Sequence, residues 1–382
     1  MNTGISFSAA MRCAGLLAGG LACGAASAGP LNPPTGAIVS SGKTLAEVEP
    51  RMAVNAANTP GDADSLFRIT QPGSYYLTAN VAGVPAKHGI EIAVGGVTLD
   101  LNGFELTGVA GSLDGVSLSV TGVSAVTVQN GTARGWGDTG VELEGANVTA
   151  LRVANVRAVG NTGTGIKVWN GAAVTGCTAA GNGGVGIKIA DMGVISECLV
   201  SQNGGHGVAA NVSAMVERTS AQNNAGSGIV LTGAGATVIG CVSYGNGAAG
   251  IDSFNGCSVI DCTTRANGSD GIQCDSTGLV RGNTCSNNGN VAGIAANIRA
   301  TGSLNRIEGN TCSGADRGLK VDGVGNIIVR NICTANGVNW EIAANNYYAS
   351  IIDRTGAAAL PVNGNTAPGS LGSNEANANF TH

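Results

Sequence analysis

The chain has 382 residues, of which 63 are Gly; 11% are charged, 3% are aromatic, and the formal net charge is −5. Glycine at this level without a Gly-X-Y period excludes collagen, and 43% hydrophobic residues excludes a disordered chain. Sparse Lys and Arg on a mildly acidic chain leave no electrostatic footprint for nucleic acid.

The N-terminus reads as an export signal. Arg12 precedes an apolar stretch, Cys13 to Ala22, too short to span a bilayer, and Ala26-Ser27-Ala28 is a small-residue cleavage site. Residues 1–28 are therefore expected to be a signal peptide, and the protein to be secreted, periplasmic or on the cell surface. Acylation at Cys23 is the weaker reading, because Gly20 stands where such signals usually carry Leu. No later stretch resembles a membrane span. Residues 29–60 form a linker and N-terminal cap, opening on Pro30, Pro33 and Pro34. Within it, Lys43 to Glu49 has Thr44 as N-cap, Glu47 three residues on and Pro50 as its stop, so a short capping helix is expected there. A solenoid must cover its open apolar end. Strand patterns follow at Tyr75-Tyr76-Leu77 and Val97-Thr98-Leu99-Asp100-Leu101, with Asn102-Gly103 as a turn.

Then the chain becomes periodic. Asn161, Asn182, Asn203, Asn224, Asn246, Asn267 and Asn288 recur every 21 or 22 residues. A second column pairs Gly with an aliphatic residue, from Gly89-Ile90 and Gly115-Val116 through Gly207-Val208 to Gly293-Ile294 and Gly318-Leu319. After each Gly the residues alternate, as in Ile166-Lys167-Val168, which is the period of a strand with one buried face. A third column, five residues before the Asn, holds Cys177, Cys198, Thr219, Cys241 and Cys262. A fixed period of this size marks a solenoid whose units bury their apolar faces only by stacking. The expected fold is all-β: a single-stranded parallel β-helix over residues 61–360, about eleven coils of 21–26 residues, with a C-terminal tail at 361–382. Stacked Asn amides bond one another as in other in-register ladders, so the Asn column is structural. The spacing of the Cys matches coil length and not a zinc motif. They read as small buried hydrophobes, with Cys285, Cys312 and Cys333 extending the same face; a pairing such as Cys257 with Cys274 stays open. Trp340 to Ile352, with Tyr347 and Tyr348, suits a C-terminal plug.

The runs Pro60-Gly61-Asp62-Ala63-Asp64-Ser65-Leu66-Phe67-Arg68-Ile69 and Gln71-Pro72-Gly73-Ser74-Tyr75-Tyr76-Leu77 resemble the opening of a bacterial family of exported right-handed parallel β-helix repeat proteins. Val97 to Phe104 and Gly325 to Asn331 resemble it too. The resemblance covers nearly the whole mature chain and implies a right-handed helix of the pectate-lyase-like type. It implies no activity, since fold does not fix chemistry.

Function must therefore be sought in the residues that point outward two and four positions after each ladder Gly. One cluster holds Glu142, Glu144, Lys167, Trp169 and Lys188, with Asp191 beside it. A second holds Asp252, Phe254, Gln273 and Asp275. An exposed Trp among acids and bases is a surface on which a sugar ring stacks, while cross-strand Glu–Lys pairing that only steadies the sheet is the plainer reading. A lyase needs a base, and Lys167 stacked on Lys188 could depress each other's pKa to supply one. A hydrolase needs two carboxylates, for which Glu142 and Glu144 are candidates. His206 reads as an exposed turn residue. Calcium could engage Asp252, Asp270 or Asp275, but the tandem calcium nonapeptide is absent and no cofactor or metal is expected. Three classes stay open: a binder of polysaccharide or surface glycan along the strand ridge, a polysaccharide lyase, epimerase or hydrolase, and a non-catalytic structural or adhesive envelope rod.

Overall fold

The computed structural model of the protein describes residues 49–289, 293, 295–353 and 375–382. The expected signal peptide, most of the linker and all but the last residue of the expected capping helix lie outside the described residues. Every regular element among the described residues is a β-strand, so no helix supports the expected cap. None is a helix long and apolar enough to cross a membrane.

A regular coil carries three short strands, for example Ile166–Val168, Ala173–Thr175 and Thr178–Ala180. The first joins a 13-stranded sheet; the other two join a folded 26-stranded sheet. Successive coils pair in parallel and in register, so Ile166 lies over Ile187, Lys167 over Lys188 and Val168 over Ile189. Among the described residues thirteen coils thus stand where about eleven were expected. The two missed coils carry Leu66 and Asn339 where all the others but one carry Gly, as the pairing of Phe67 with Ile90 and of Leu319 with Trp340 requires. Gly293 is also not a ladder position: Ile272 pairs with Ile298, so Asn297 stands in that column.

The ladder Gly is demanded by space and not by an unusual backbone angle. A Cβ on Gly207 would lie 2.5 Å from the Gly228 carbonyl oxygen and 2.7 Å from Asn224 Nδ2. Inward from it, Ile, Val and Leu at strand positions such as Ile166, Val168 and Val174 are fully buried. Trp136 occupies the place where the Asn column would have its preceding member. Its ring is fully buried, its Nε1 donates to the Leu106 carbonyl at 3.0 Å, and only Gly at 89 and 115 leaves room for it.

The Asn column is a continuous buried file. Asn203 Nδ2 donates to Asn224 Oδ1 at 2.8 Å and to the Ala179 carbonyl at 3.1 Å, while its Oδ1 accepts from the backbone N–H and Nδ2 of Asn182. Each amide therefore satisfies both its own polar atoms and a corner of the neighbouring coil. After Asn288 the expected rung position holds Ala315. Asn297, from the Gly column, fills the gap: it accepts from Asn288 Nδ2 at 2.9 Å and donates to Asn336 Oδ1 at 3.0 Å. The Cys column turns into a second amide file, Asn283, Asn310, Asn331 and Asn379. Cys285, Cys312 and Cys333 consequently do not extend it; they stack on one another in the neighbouring strand column, below Thr264. All nine described cysteines are free and buried, Cys257 and Cys274 included.

The end of the tail adds a strand. Asn379–Thr381 pairs with Ile332–Thr334 and Ile351–Asp353. Tyr347 and Tyr348 are 71% and 58% exposed and plug nothing; Trp340 packs on the core instead, its Nε1 donating to Thr381 Oγ1 at 2.6 Å.

Candidate functional site

The outer face of the 13-stranded sheet presents one residue from the middle of each strand and one from just beyond its end. In-register stacking turns these into two files running along the coil axis, so residues far apart in sequence become neighbours at about 4.8 Å intervals. Both sequence clusters lie on this face. The register places Glu142 beside Lys167, Lys167 beside Lys188, and Asp252 beside Gln273.

The first cluster divides into two parts. Lys167 Nζ lies 3.3 Å from Glu142 Oε1 and 2.6 Å from Glu144 Oε2, all three side chains being about a quarter exposed or less. Burial alone pulls the Lys167 amine down, but the hydrogen bond to Glu144 and the charges of both carboxylates outweigh it and raise its pKa. The expected mutual depression of Lys167 and Lys188 is therefore corrected for Lys167, which the two acids hold protonated. Burial, then the charge of Asp114, pushes the Glu142 carboxyl up against the pull of Lys167. Lys188, by contrast, is exposed and belongs to no ion pair among the described residues. It lines a groove of about 290 Å³ with Glu144, Trp169, Asn170, Asp191 and Asn211. Trp169 rests against the hydrophobic core, which fixes its ring, and Asp191 Oδ1 is a buried acceptor without a donor.

The second cluster lines a further groove of about 310 Å³ with Val230, Asp252, Phe254, Gln273, Asp275 and Thr301. Phe254 is 44% exposed, a large aromatic surface left open to solvent. Gln273 Nε2 donates to Asp252 Oδ1 at 3.1 Å. Burial raises the Asp252 carboxyl; that hydrogen bond and the nearby His206 act the other way. Thr232 lines both grooves, so they adjoin. From Glu144 to Thr301 they follow seven coil steps, about 34 Å.

Three features of this face escaped the sequence reading. His206 is not a free turn residue: it is half-buried and its Nδ1 accepts from the Ser227 N–H at 3.0 Å. His88 stands in the same column, 3.2 Å from Asp114, whose hydrogen bond raises its pKa. Asp62, Asp64 and Glu91 bring three carboxylates within 4.8 Å of one another, with Arg68 ion-paired to Asp62 and Glu91. The His88 signal was available, since it precedes Gly89 as Asp114 precedes Gly115; the carboxylate group depends on a loop whose path the period does not set.

The profile of the family described as right-handed beta helix region matches residues 114–263. The chain is a right-handed parallel β-helix. Among solved structures it is similar to the Azotobacter vinelandii mannuronan C-5 epimerase AlgE4 A-module, at 18% identity and a TM-score of 0.63, covering 73% of this chain and 91% of that one. It is similar to the AlgE6 A-module of the same organism at 18% identity and a TM-score of 0.51, over 73% and 90% of the two chains. A third likeness is to DFA-IIIase from Arthrobacter chlorophenolicus A6 without its lid in complex with GF2, at 13% identity and a TM-score of 0.50, over 72% and 88%. At these identities the likeness is one of fold. Comparison with curated protein sequences finds no match. The β-helix thus sets the frame, and the chemistry rests on the groove's own side chains.

Proposed function

We propose that this β-helix binds a polysaccharide or surface glycan chain along the outer face of its 13-stranded sheet. The observation that carries the reading is the pair of adjoining grooves, with Trp169 anchored in one and Phe254 open in the other. Sugar rings present apolar faces that stack on aromatic side chains, and hydroxyls that need hydrogen-bond partners. Glu144, Asn170, Asp191 and Asn211 supply such partners around Trp169. The groove follows the coil axis, which suits a linear polymer better than a compact metabolite. The names of the two epimerase modules, which refer to mannuronan, support a glycan ligand for a groove on this fold.

A catalytic reading finds one supporting feature. Glu142 and Glu144 share Lys167, so their carboxylates lie within about 6 Å of each other, in the range of paired glycosidase acids. Lys167 fills the space between them, however, and the three side chains steady one another as an ion-paired unit. The glycan-binding reading is therefore preferred.

The test is a glycan array on the mature protein, followed by calorimetry on any hit. Trp169→Ala is expected to weaken binding at least about tenfold, the loss of one stacking platform. Unchanged affinity in that variant, or no hit on the array, would refute the proposal. Ultraviolet absorbance of unsaturated products, or release of reducing ends, from the bound glycan would instead select the catalytic reading.

A further inference from the structure

Charge on the outer face of the 13-stranded sheet is matched almost everywhere. Glu91 meets Arg68, Asp114 meets His88, and Glu142 and Glu144 meet Lys167. Asp270 and Asp322 meet Arg299, and Glu341 meets Lys320. Among the described residues the exceptions on this face are Lys188 and Asp191 in the Trp169 groove, and Asp252 and Asp275 in the Phe254 groove. Asp252 and Asp275 lie on successive coils, near enough for the charge of Asp275 to push the Asp252 carboxyl up, and neither forms an ion pair. The neutral Gln273 amide bonds Asp252, and the Ser276 hydroxyl reaches Asp275 at 3.4 Å. Two like charges held together without an ion pair, opposed only by the nearby His206 on the Asp252 side, are a cost to the folded protein that a bound cation relieves.

The kind of cation follows from the surroundings. A divalent metal wants several carboxylate or carbonyl oxygens converging on one point. Among the described residues, three carboxylates converge within 4.8 Å of one another at Asp62, Asp64 and Glu91, whereas here there are only the two. What lies here is an aromatic face, Phe254, in a groove of about 310 Å³ that continues into the Trp169 groove. Aromatic faces attract organic ammonium groups, and carboxylates pair with them. We infer that Asp252, Phe254 and Asp275 form a subsite for a sugar ring bearing a free ammonium group, so that the preferred glycan contains amino sugar that is not acetylated. This rests on the glycan-binding reading of the groove and deepens it.

The probes are a glucosamine hexamer and its fully N-acetylated counterpart, measured by calorimetry at low and at physiological salt. The glucosamine hexamer is expected to bind, to weaken as salt rises, and to exceed the acetylated hexamer by at least about tenfold. Asp252→Asn with Asp275→Asn should remove that preference, while Phe254→Leu should weaken the glucosamine hexamer without abolishing the preference. Thermal unfolding of each variant checks that the coils are intact. Equal binding of the two hexamers, or an unchanged preference in the double variant, overturns the assignment. So does calcium alone binding to the wild type and not to the double variant, which would make the acids a metal site. If the glucosamine hexamer fails while another glycan binds and depends on Trp169, the subsite falls and the groove stands.

Discussion

At the level of single residues, burial and charge decide what the outward side chains can do. Lys167 and Glu142 were both candidates for chemistry by residue type. Their environment assigns them to each other, and the alternation that brought them to one face could not disclose the pairing, because side-chain conformers are not periodic. The raised carboxyl of Glu142 has a measurable consequence. A carboxyl held above its unfolded value binds its proton more tightly in the native state, so acidification through that raised value stabilises the fold by this one group. Glu142→Gln removes the contribution. Urea unfolding at pH 7 and near the ordinary carboxylate value should show wild type gaining relative to Glu142→Gln as pH falls. A difference between the two proteins that is flat across that range would contradict the burial argument. Because the side chain is about a quarter exposed, the shift in relative stability is expected to stay below about 1 kcal/mol.

At the level of elements, the amide files govern the coil. Asn297→Gly would restore the usual Gly of its column but take one hydrogen bond from Asn288 Nδ2, which keeps the Thr264 carbonyl, and one from Asn336 Oδ1, which keeps the Ala315 N–H. Losing two such bonds costs about 1–3 kcal/mol. Adding Ala315→Asn should return most of that, since residue 315 stands where the file expects its rung and its N–H already donates to Asn336 Oδ1. Failure of the second substitution to rescue the first in denaturant titrations would mean that the file is not read by position. The corners make a second, opposite prediction. Ala266 takes a left-handed backbone, φ 55, at a bend where other coils use Gly. Ala266→Gly should therefore stabilise the protein, by up to about 1 kcal/mol, because the left-handed penalty on a Cβ exceeds the entropy Gly adds to the unfolded chain. The regular coils were legible in sequence because Asn, Gly and the Cys column mark three fixed places per turn. The coils of Leu66 and Asn339 were not, since they lack the marker Gly, and the shift to Asn297 was hidden by the longer segment that precedes it.

At the level of the whole β-helix, each coil is stabilised by its two neighbours and the ends are the weak points. The C-terminal strand Asn379–Thr381 supplies the last rung of the second amide file, with Asn379 Oδ1 accepting from the Asn331 N–H at 2.9 Å. Deleting residues 375–382 should leave the central coils folded and loosen those near Asn331. Hydrogen exchange is the measurement: protection should fall around Asn310 to Ile352 and persist from Asn161 to Asn267. Uniform loss along the chain would show one cooperative unit instead. The Trp169 groove ends at Thr232, five coils from this end, so glycan binding there should survive the deletion, while the Phe254 groove reaches Thr301, two coils away.

The rung borrowed from Asn297, where position 315 carries Ala, separates two things that a repeat normally ties together, the length of a turn and the pitch of the stack. Asn267 is four residues ahead of Gly271, whereas Asn288 is nine ahead of Asn297, yet the strand that holds Asn297 still pairs in register, Ile298 beside Ile272. The longer spacing is thus absorbed without shearing the layers above and below. The chain rejoins the sheet where the Ala296 N–H donates to Asp270, so a lengthened segment before it would raise a new wall beside the ligand while leaving the scaffold untouched.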